Sequence, residues 1–351
     1  MSVRKIRAKW KNHRFVRARD KRQGIEPYSS CLVRRGFAVL GMVLVALLLL
    51  LFGTVTVICT GPSPTARDVF VTTVMETSAA KFLARMYYSE EEIESIQKKN
   101  AVREAGEVTE VSPSFQFEQG SADKDEIELV EVSGATFKGR MMIVHDPSRI
   151  KVAAAPSFGL DKEGLRIEEF VENTGAVAGI NGGGFVDTGG MGRGGEPLGL
   201  VIQDSKLLHG GLNETSTVIG FDQDDRLIVG KLTGQQALDM GIRDAVAFGP
   251  VFIVNGKAAE ISGSGGGLNP RTVIGQRADG AVLLLVIDGR QPSSLGASYK
   301  DCIEVMLEFG AINAGNLDGG SSSMMIYQGE VVNVCASLYG SRRLPTAFVV
   351  M

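Results

Sequence analysis

From Gly36 to Thr60 the chain runs for 25 residues without a charged side chain, with Leu47 to Phe52 at its centre. As a helix rising about 1.5 Å per residue, such a run crosses the roughly 30 Å hydrocarbon core of a bilayer. It also divides the protein by charge. Residues 1–35 hold twelve Lys/Arg against Asp20 and Glu26, a balance of +10, so the net −3 leaves −13 on the remainder. A basic N-terminal flank keeps that end cytoplasmic, which predicts a single-pass cell-membrane protein with everything after Thr60 outside. The run is long for the apolar region of a cleaved signal peptide, and no small-x-small site follows it directly. Ile58, before Cys59, is too bulky for a lipoprotein cleavage box, so an uncleaved anchor through the lipid bilayer at 36–60 is expected. The basic tail serves topology and contact with anionic lipid, and the acidic bulk argues against nucleic acid as a partner.

After the anchor, apolar residues recur with near-helical spacing from Thr65 to about Gln97, and Ser89 followed by Glu90-Glu91-Glu92 reads as a helix cap. Residues 61–103 are therefore expected as a helical stalk. The polar stretch 104–126, with Pro113 and Gly120, reads as a linker. From Ile127 the pattern changes to short β-type runs punctuated by Gly and Pro, with helices over 165–173, 234–240 and 295–309. Ala281–Ile287 is apolar enough to be buried on both faces. The expectation for 127–351 is one α+β domain: a mixed, largely antiparallel sheet core with a few packed helices, preceded by the transmembrane helix and stalk.

The chemistry concentrates in residues 311–326. An apolar approach ends in Asn316-Leu-Asp318, followed by Gly319, Gly320, Ser321, Ser322 and Ser323, then Met324-Met325-Ile326. This reads as strand, tight turn, strand, with both glycines available for positive φ and for uncovered backbone N–H groups. One carboxylate, several N–H donors and small hydroxyls in one small volume suit an oxyanion such as phosphate. Three other polar stretches also sit at the ends of apolar strands: Asn181-Gly-Gly-Gly-Phe185, Asn269-Pro-Arg271-Thr and Asp288-Gly-Arg290. Gly190-Met-Gly192-Arg-Gly194-Gly195 matches a dinucleotide fingerprint literally. Glu196-Pro197 and a strand-like segment follow it, so no helix is there to receive a pyrophosphate.

Three histidines, one of them in the basic tail, leave little for a catalytic triad or a His-rich zinc site. Cys302 and Cys335 lie in the exported part, where a disulfide is permitted. No metal site is expected. The acidic pairs could gather Ca²⁺, but no spaced carboxylate ladder marks a dedicated loop.

Taken in order, the four polar stretches resemble the phosphodiester glycosidase family over about Gly175–Met351. Pro197, Gly199, Gly249-Pro250 and Arg343 fit the family's layout. Two positions depart from it: Gly184 stands where a second aromatic is common, and Ser321 where Gly is usual. The resemblance implies hydrolysis of a sugar-1-phosphodiester, from an envelope or exopolysaccharide glycan, without a cofactor. Because the leaving phosphate monoester is a weak base, the reaction needs anion stabilisation and a carboxylate facing an oxocarbenium-like centre. Asp318 is then the nucleophile or general base and Asp288 the second carboxylate. Asn181 and Asn316 hold sugar hydroxyls or the attacking water. Arg271 and Arg290, the Gly319–Ser322 turn and Arg343 bind phosphate. The alternatives are a non-catalytic phosphoglycan-binding module and a phosphodiesterase that cuts P–O.

Overall fold

The computed structural model describes residues 28–351 except 78–79, 105, 112–116, 119–122, 188–191, 264 and 338–339. The expected tail thus falls largely outside the described residues, as do parts of the linker and of the glycine-rich 190–195 run. Two compact units are present, Met1–Ser63 and Pro64–Met351. In the first, helix α1 (Tyr28–Thr60) exposes its apolar side chains along most of its length, and its Arg35–Thr60 portion is long and apolar enough to cross a membrane.

The second unit begins with three helices, α2 (Pro64–Met75), α3 (Lys81–Arg85) and α4 (Glu90–Lys99). Ser89 caps α4 as expected: its hydroxyl accepts from Glu92 N, and Glu92 accepts from Ser89 N at 2.8 Å. These helices exist where a stalk was expected, but they belong to the same compact unit as the sheets. Val71, Val74, Ala84, Ile93 and Ile96 pack on one another, and the following strand β1 (Val102–Arg103) pairs with a strand of the main domain.

The rest of the unit continues with β2 (Ile127–Ser133), β3 (Lys138–Val144), β4 (Ile150–Ala154), α5 (Ile167–Thr174) and β5 (Ala178–Asn181). Next come β6 (Val201–Gln203), β7 (Lys206–His209), β8 (Thr215–Asp222), β9 (Leu227–Thr233), α6 (Gly234–Asp239) and β10 (Ile242–Ala247). Then follow β11 (Val251–Val254), β12 (Lys257–Ala258), β13 (Glu260–Ile261), β14 (Arg271–Arg277), β15 (Val282–Ile287) and α7 (Tyr299–Glu308). The chain closes with β16 (Ala311–Leu317), β17 (Met325–Tyr327), β18 (Glu330–Val331) and β19 (Thr346–Val350). Every described strand pair is antiparallel. The sheets run β12-β11-β16-β14-β15-β3-β2, β7-β6-β10-β8-β9, β18-β17-β5-β19-β4, and the small pair β1-β13. The α+β expectation holds.

Three sheets share one core. Met142, Val152, Ile180, Phe221, Val246, Ile274, Leu284, Leu317 and Phe348, drawn from all three, form a single buried cluster. β15 shows why it reads as an unbroken apolar run. Val282, Leu284 and Val286 face this core, while Leu283, Leu285 and Ile287 face a second cluster that includes Cys302, Val305 and Met306 of α7. At about 1.5–3 kcal/mol per fully buried large side chain, this doubly covered strand anchors the sheet.

The 311–326 stretch is not a hairpin. β16 lies inside the seven-stranded sheet, whereas β17 pairs with β5 in another, so the turn carries the chain from sheet to sheet. The reason is Asn181, at the end of β5: its amide donates to Asp318 O at 2.5 Å, and its Oδ1 accepts from Met324 N and from Thr272 Oγ1. One fully buried side chain thus clamps both sides of the turn to a third strand. Within it a short 3-10 turn spans Gly320–Ser322. Only Gly320 has positive φ (+63°); Gly319 is extended and is required by close approach, because a Cβ there would sit 2.9 Å from Pro270 O.

Candidate active site

Sheet register explains how polar stretches far apart in sequence meet. In the antiparallel seven-stranded sheet, Arg271 opens β14 opposite Ile287, which ends β15, and Thr272 lies opposite Leu317, which ends β16. The 268–271, 288–290 and 316–321 segments therefore emerge at the same edge. Asn181 ties the end of β5 to that edge. A cavity of about 400 Å³ opens there, lined by Asn269, Arg271, Arg290, Asn316, Asp318 and the Gly319–Ser321 turn, with Glu76, Asp187 and Arg342 among its other walls.

Asp318 sits where a carboxylate is hardest to ionise. Burial raises it from 3.8 to about 6; the Ser322 hydroxyl, the Arg342 guanidinium and the Gly319 N–H pull the other way without cancelling the rise. Its Oδ2 is buried with no hydrogen-bond partner, and Ser322 Oγ, although close enough to act on it, forms no well-directed bond. Asn316 donates its amide to Gly249 O at 2.8 Å, which leaves its Oδ1 also buried and unpartnered. Both unpartnered oxygens belong to residues that line the cavity, and both are themselves covered.

The arginines divide the work. Arg290, with φ +59°, donates one NH₂ to Thr77 Oγ1 (3.0 Å) and Asn269 Oδ1 (3.1 Å) and forms no ion pair among the described residues. Burial and the neighbouring Arg271 lower its pKa, and the hydrogen bonds it makes here go to neutral oxygens. Its guanidinium lies over the turn, since a Cβ on Gly320 would come within 3.1 Å of it. Arg271 lines the cavity but is already occupied. It donates to the carbonyls of Ala297, Gly266 and Gly267, pairs with Glu76 at 2.8 Å and stacks 4.1 Å from the Tyr299 ring centroid. Burial opposes its charge, and Glu76 more than restores it. Arg271 therefore shapes the wall more than it offers free donors.

Four expected site residues, Asn181, Asp288, Arg343 and Ser322, lie outside the cavity lining. Asn181 is beneath the turn and holds it, rather than facing a sugar. Asp288 turns away: its Oδ1 accepts from Val334 N (2.8 Å) and Asn333 Nδ2 (3.2 Å), fixing the loop after β18. Arg343 donates to Gly164 O and pairs with Glu169 and Glu163. Along extended chain adjacent residues face opposite ways, so it is Arg342 that reaches the cavity. There it pairs with Asp187 at 3.1 Å and lies 4.9 Å over the Phe185 ring. Asp187, with Glu76, is thus a further carboxylate on the cavity wall, where Asp288 was expected. Its hint in the sequence was its place two residues beyond the Asn181–Phe185 motif. Glu76 had no such hint, because it comes from the segment read as stalk. Ser322 is buried behind Asp318, and Cys302 and Cys335 are free thiols. Among the described residues no group of three or more His, Cys, Asp or Glu could hold a metal ion.

Several known proteins resemble this chain in sequence or fold. The chain is 30% identical over 159 residues to the SPbeta prophage-derived protein YomE of Bacillus subtilis (strain 168), covering 42% of this chain and 24% of that protein. It is 26% identical over 191 residues to N-acetylglucosamine-1-phosphodiester alpha-N-acetylglucosaminidase of Bos taurus, covering 49% of this chain and 35% of the relative. The chain thus spans only a quarter to about a third of the length of these two relatives. The fold matches the zebrafish N-acetylglucosamine-1-phosphodiester alpha-N-acetylglucosaminidase catalytic domain, solved auto-inhibited by its pro-peptide. That match has a TM-score of 0.55 at 19% identity, over 67% of this chain and 86% of that one. A family model for phosphodiester glycosidase matches residues 174–351, just over half of the chain and the part that carries Asp187, Arg290, Asp318 and Arg342. The chain belongs to the phosphodiester glycosidase family.

Proposed function

We propose that this protein hydrolyses a sugar-1-phosphodiester between the anomeric carbon and oxygen. The observation that carries the reading is the pairing, in one cavity, of Arg290, without an ion pair among the described residues and lying over Gly320, with a buried, unpartnered Asp318 oxygen. In this reading the phosphate lies against Arg290 and the turn, where charge-assisted donors meet its oxygens. The sugar then lies over Asp318 and Asn316, whose Oδ1 accepts a hydroxyl proton. As the C1–O bond breaks, its electron pair leaves with the phosphate monoester, whose charge the guanidinium already faces. Asp318, ionised, either attacks C1, forming a glycosyl ester that water then cleaves at C1 to free the carboxylate, or takes a proton from a water that attacks C1 directly; in both cases the water's oxygen becomes the anomeric hydroxyl. Asp187, poised by Arg342, is the companion carboxylate in place of Asp288. Arg271 contributes the shape of the wall and a positive field.

The substrate class follows from the family and from an acidic domain carried behind a membrane-compatible helix. We place the domain outside the cell membrane, with the N-terminus cytoplasmic and α1 as anchor, acting on phosphorylated envelope or exopolysaccharide glycans. The deciding experiment is hydrolysis in water labelled with heavy oxygen. Label in the released sugar supports C–O cleavage. Label in the phosphate means P–O cleavage and overturns the mechanism, and binding of sugar phosphodiesters without turnover makes the protein a phosphoglycan-binding module.

A further inference from the structure

One wall of the cavity comes from outside the family domain. Glu76 and Thr77 follow α2, almost a hundred residues before the matched region begins, yet both line the site. Glu76 lies at the surface by its backbone, and its carboxylate turns inward. One oxygen, Oε2, accepts from Asn269 Nδ2 at 2.8 Å and meets Arg271 NH₂ at the same distance. Asn269 then has only its Oδ1 left for the cavity side, and that atom accepts from Arg290. Thr77 Oγ1 accepts from the same Arg290 nitrogen at 3.0 Å.

From this geometry we infer that Glu76 is a positioning residue of the anion seat, acting through Asn269, with Thr77 as a direct second hold on Arg290. A carboxylate can only accept here, so it forces the Asn269 amide to present oxygen, not NH₂, to the guanidinium. Were the amide reversed, Arg290 would face a donor and swing from the turn. The role rests on the reading of this cavity as a phosphate site.

The fit between the segment and the domain is mutual, which distinguishes a built wall from a plug lying in a finished seat. Gly266 and Gly267 have φ of +75° and +65°, and Gly267 is moulded to the segment: a Cβ there would sit 2.4 Å from Thr73 N. A Cβ on Gly266 would meet the Tyr299 ring at 2.3 Å and Glu76 Oε1 at 2.8 Å, so that position is closed by the domain and the segment together. Leu268 N donates to Thr73 Oγ1 at 2.9 Å, and the carbonyls of the two glycines accept from Arg271. On the far side of the loop, β1 pairs with β13. Without the segment, the loop that shapes Arg271 and Asn269 loses its template.

The test compares the full chain in detergent with E76Q, E76D and T77V, using inorganic phosphate binding and turnover of a sugar-1-phosphodiester. Glu76→Gln places an NH₂ among donors and should weaken phosphate binding and kcat/KM by about tenfold or more, the scale of one misplaced charge-assisted hydrogen bond. E76D should recover part of the loss. T77V, which removes only the hydroxyl at Arg290, should weaken phosphate binding several-fold with little change in thermal midpoint, and it carries the test if E76Q does not fold. Phosphate binding with these losses but no turnover in the wild type leaves the positioning role standing and sinks the hydrolase reading. Unchanged or tighter phosphate binding in E76Q, or a gain in turnover, shows the carboxylate to be a plug in the seat and overturns the proposal. So does a wild-type chain that binds no phosphate.

Discussion

Replacing Asp318 with Asn keeps the shape of the side chain and removes its charge, which separates what the carboxylate does for stability from what it does for chemistry. Burial lifts the group from 3.8 to about 6. At about 1.4 kcal/mol per pH unit, holding it ionised in the folded chain costs about 3 kcal/mol relative to the unfolded chain. Between these two values the folded protein keeps a proton that the unfolded chain has released. Stability is therefore undiminished below pH about 4, falls as pH rises through about 6, and stays lower above it. D318N escapes this fall, and its new NH₂ faces the unpartnered Ser322 hydroxyl. At pH 7.5 the variant should be more stable by up to about 3 kcal/mol, or on the order of 5 °C in thermal midpoint, with the advantage shrinking to nothing near pH 4. Turnover should fall by at least about a thousandfold, since the group proposed as nucleophile or base is gone. Wild-type kcat/KM should drop below pH about 6 as the carboxyl takes up its proton. Thermal melts from pH 4 to 8 on both proteins are the assay. A stability difference that does not grow with pH would refute the reasoning, because Asp318 would then ionise like an exposed carboxylate.

Other substitutions probe the site's supports. R342A, which removes the guanidinium that pairs with Asp187 and lies over the Phe185 ring, should cut kcat/KM about a hundredfold, whereas R343A should stay within about threefold, its partners being partly exposed surface groups; paired kinetics check this, and equal losses would restore Arg343 to the site. G320A puts a side chain at φ +63° within 3.1 Å of the Arg290 guanidinium. It should cost about 1–2 kcal/mol in denaturant unfolding and raise KM for the phosphodiester. N181A removes three hydrogen bonds at a fully buried position and frees both ends of the turn. It should destabilise by about 2–4 kcal/mol and lower kcat more than thermal stability alone explains, as measured at a temperature where the variant remains folded.

Local order and the type of chemistry could be read without coordinates. The uncharged run predicts α1, Ser89 predicts a capped helix, and the unbroken apolar stretch of β15 predicts burial on both faces. Each depends on neighbours in the chain or on solvent, so composition and spacing carry it. Asp318, Asn316, Arg290 and the Gly319–Ser321 turn could likewise be found, because polar groups after an apolar strand must emerge at a sheet edge. Which polar residues then face the cavity could not. Asp288 and Arg343 sit beside or within the family's motifs yet turn to a loop and to the surface, while Arg342, one position away, reaches inward. Side-chain direction in extended chain reverses with every residue, and a bulge or a bridge such as Leu165 to Leu344 sets the phase from outside.

The crossing of the 311–326 stretch between two sheets was also out of reach. Strand pairing depends on Asn181, some 140 residues earlier. So was the use of Glu76, whose partners lie nearly two hundred residues downstream. What the sequence by itself determined is the set of elements, their burial and the presence of a polar edge that carries a carboxylate and guanidinium groups. Which residues share one hollow was decided by the tertiary structure alone, because antiparallel register and the packing of a pre-domain helix are long-range contacts with no local signature.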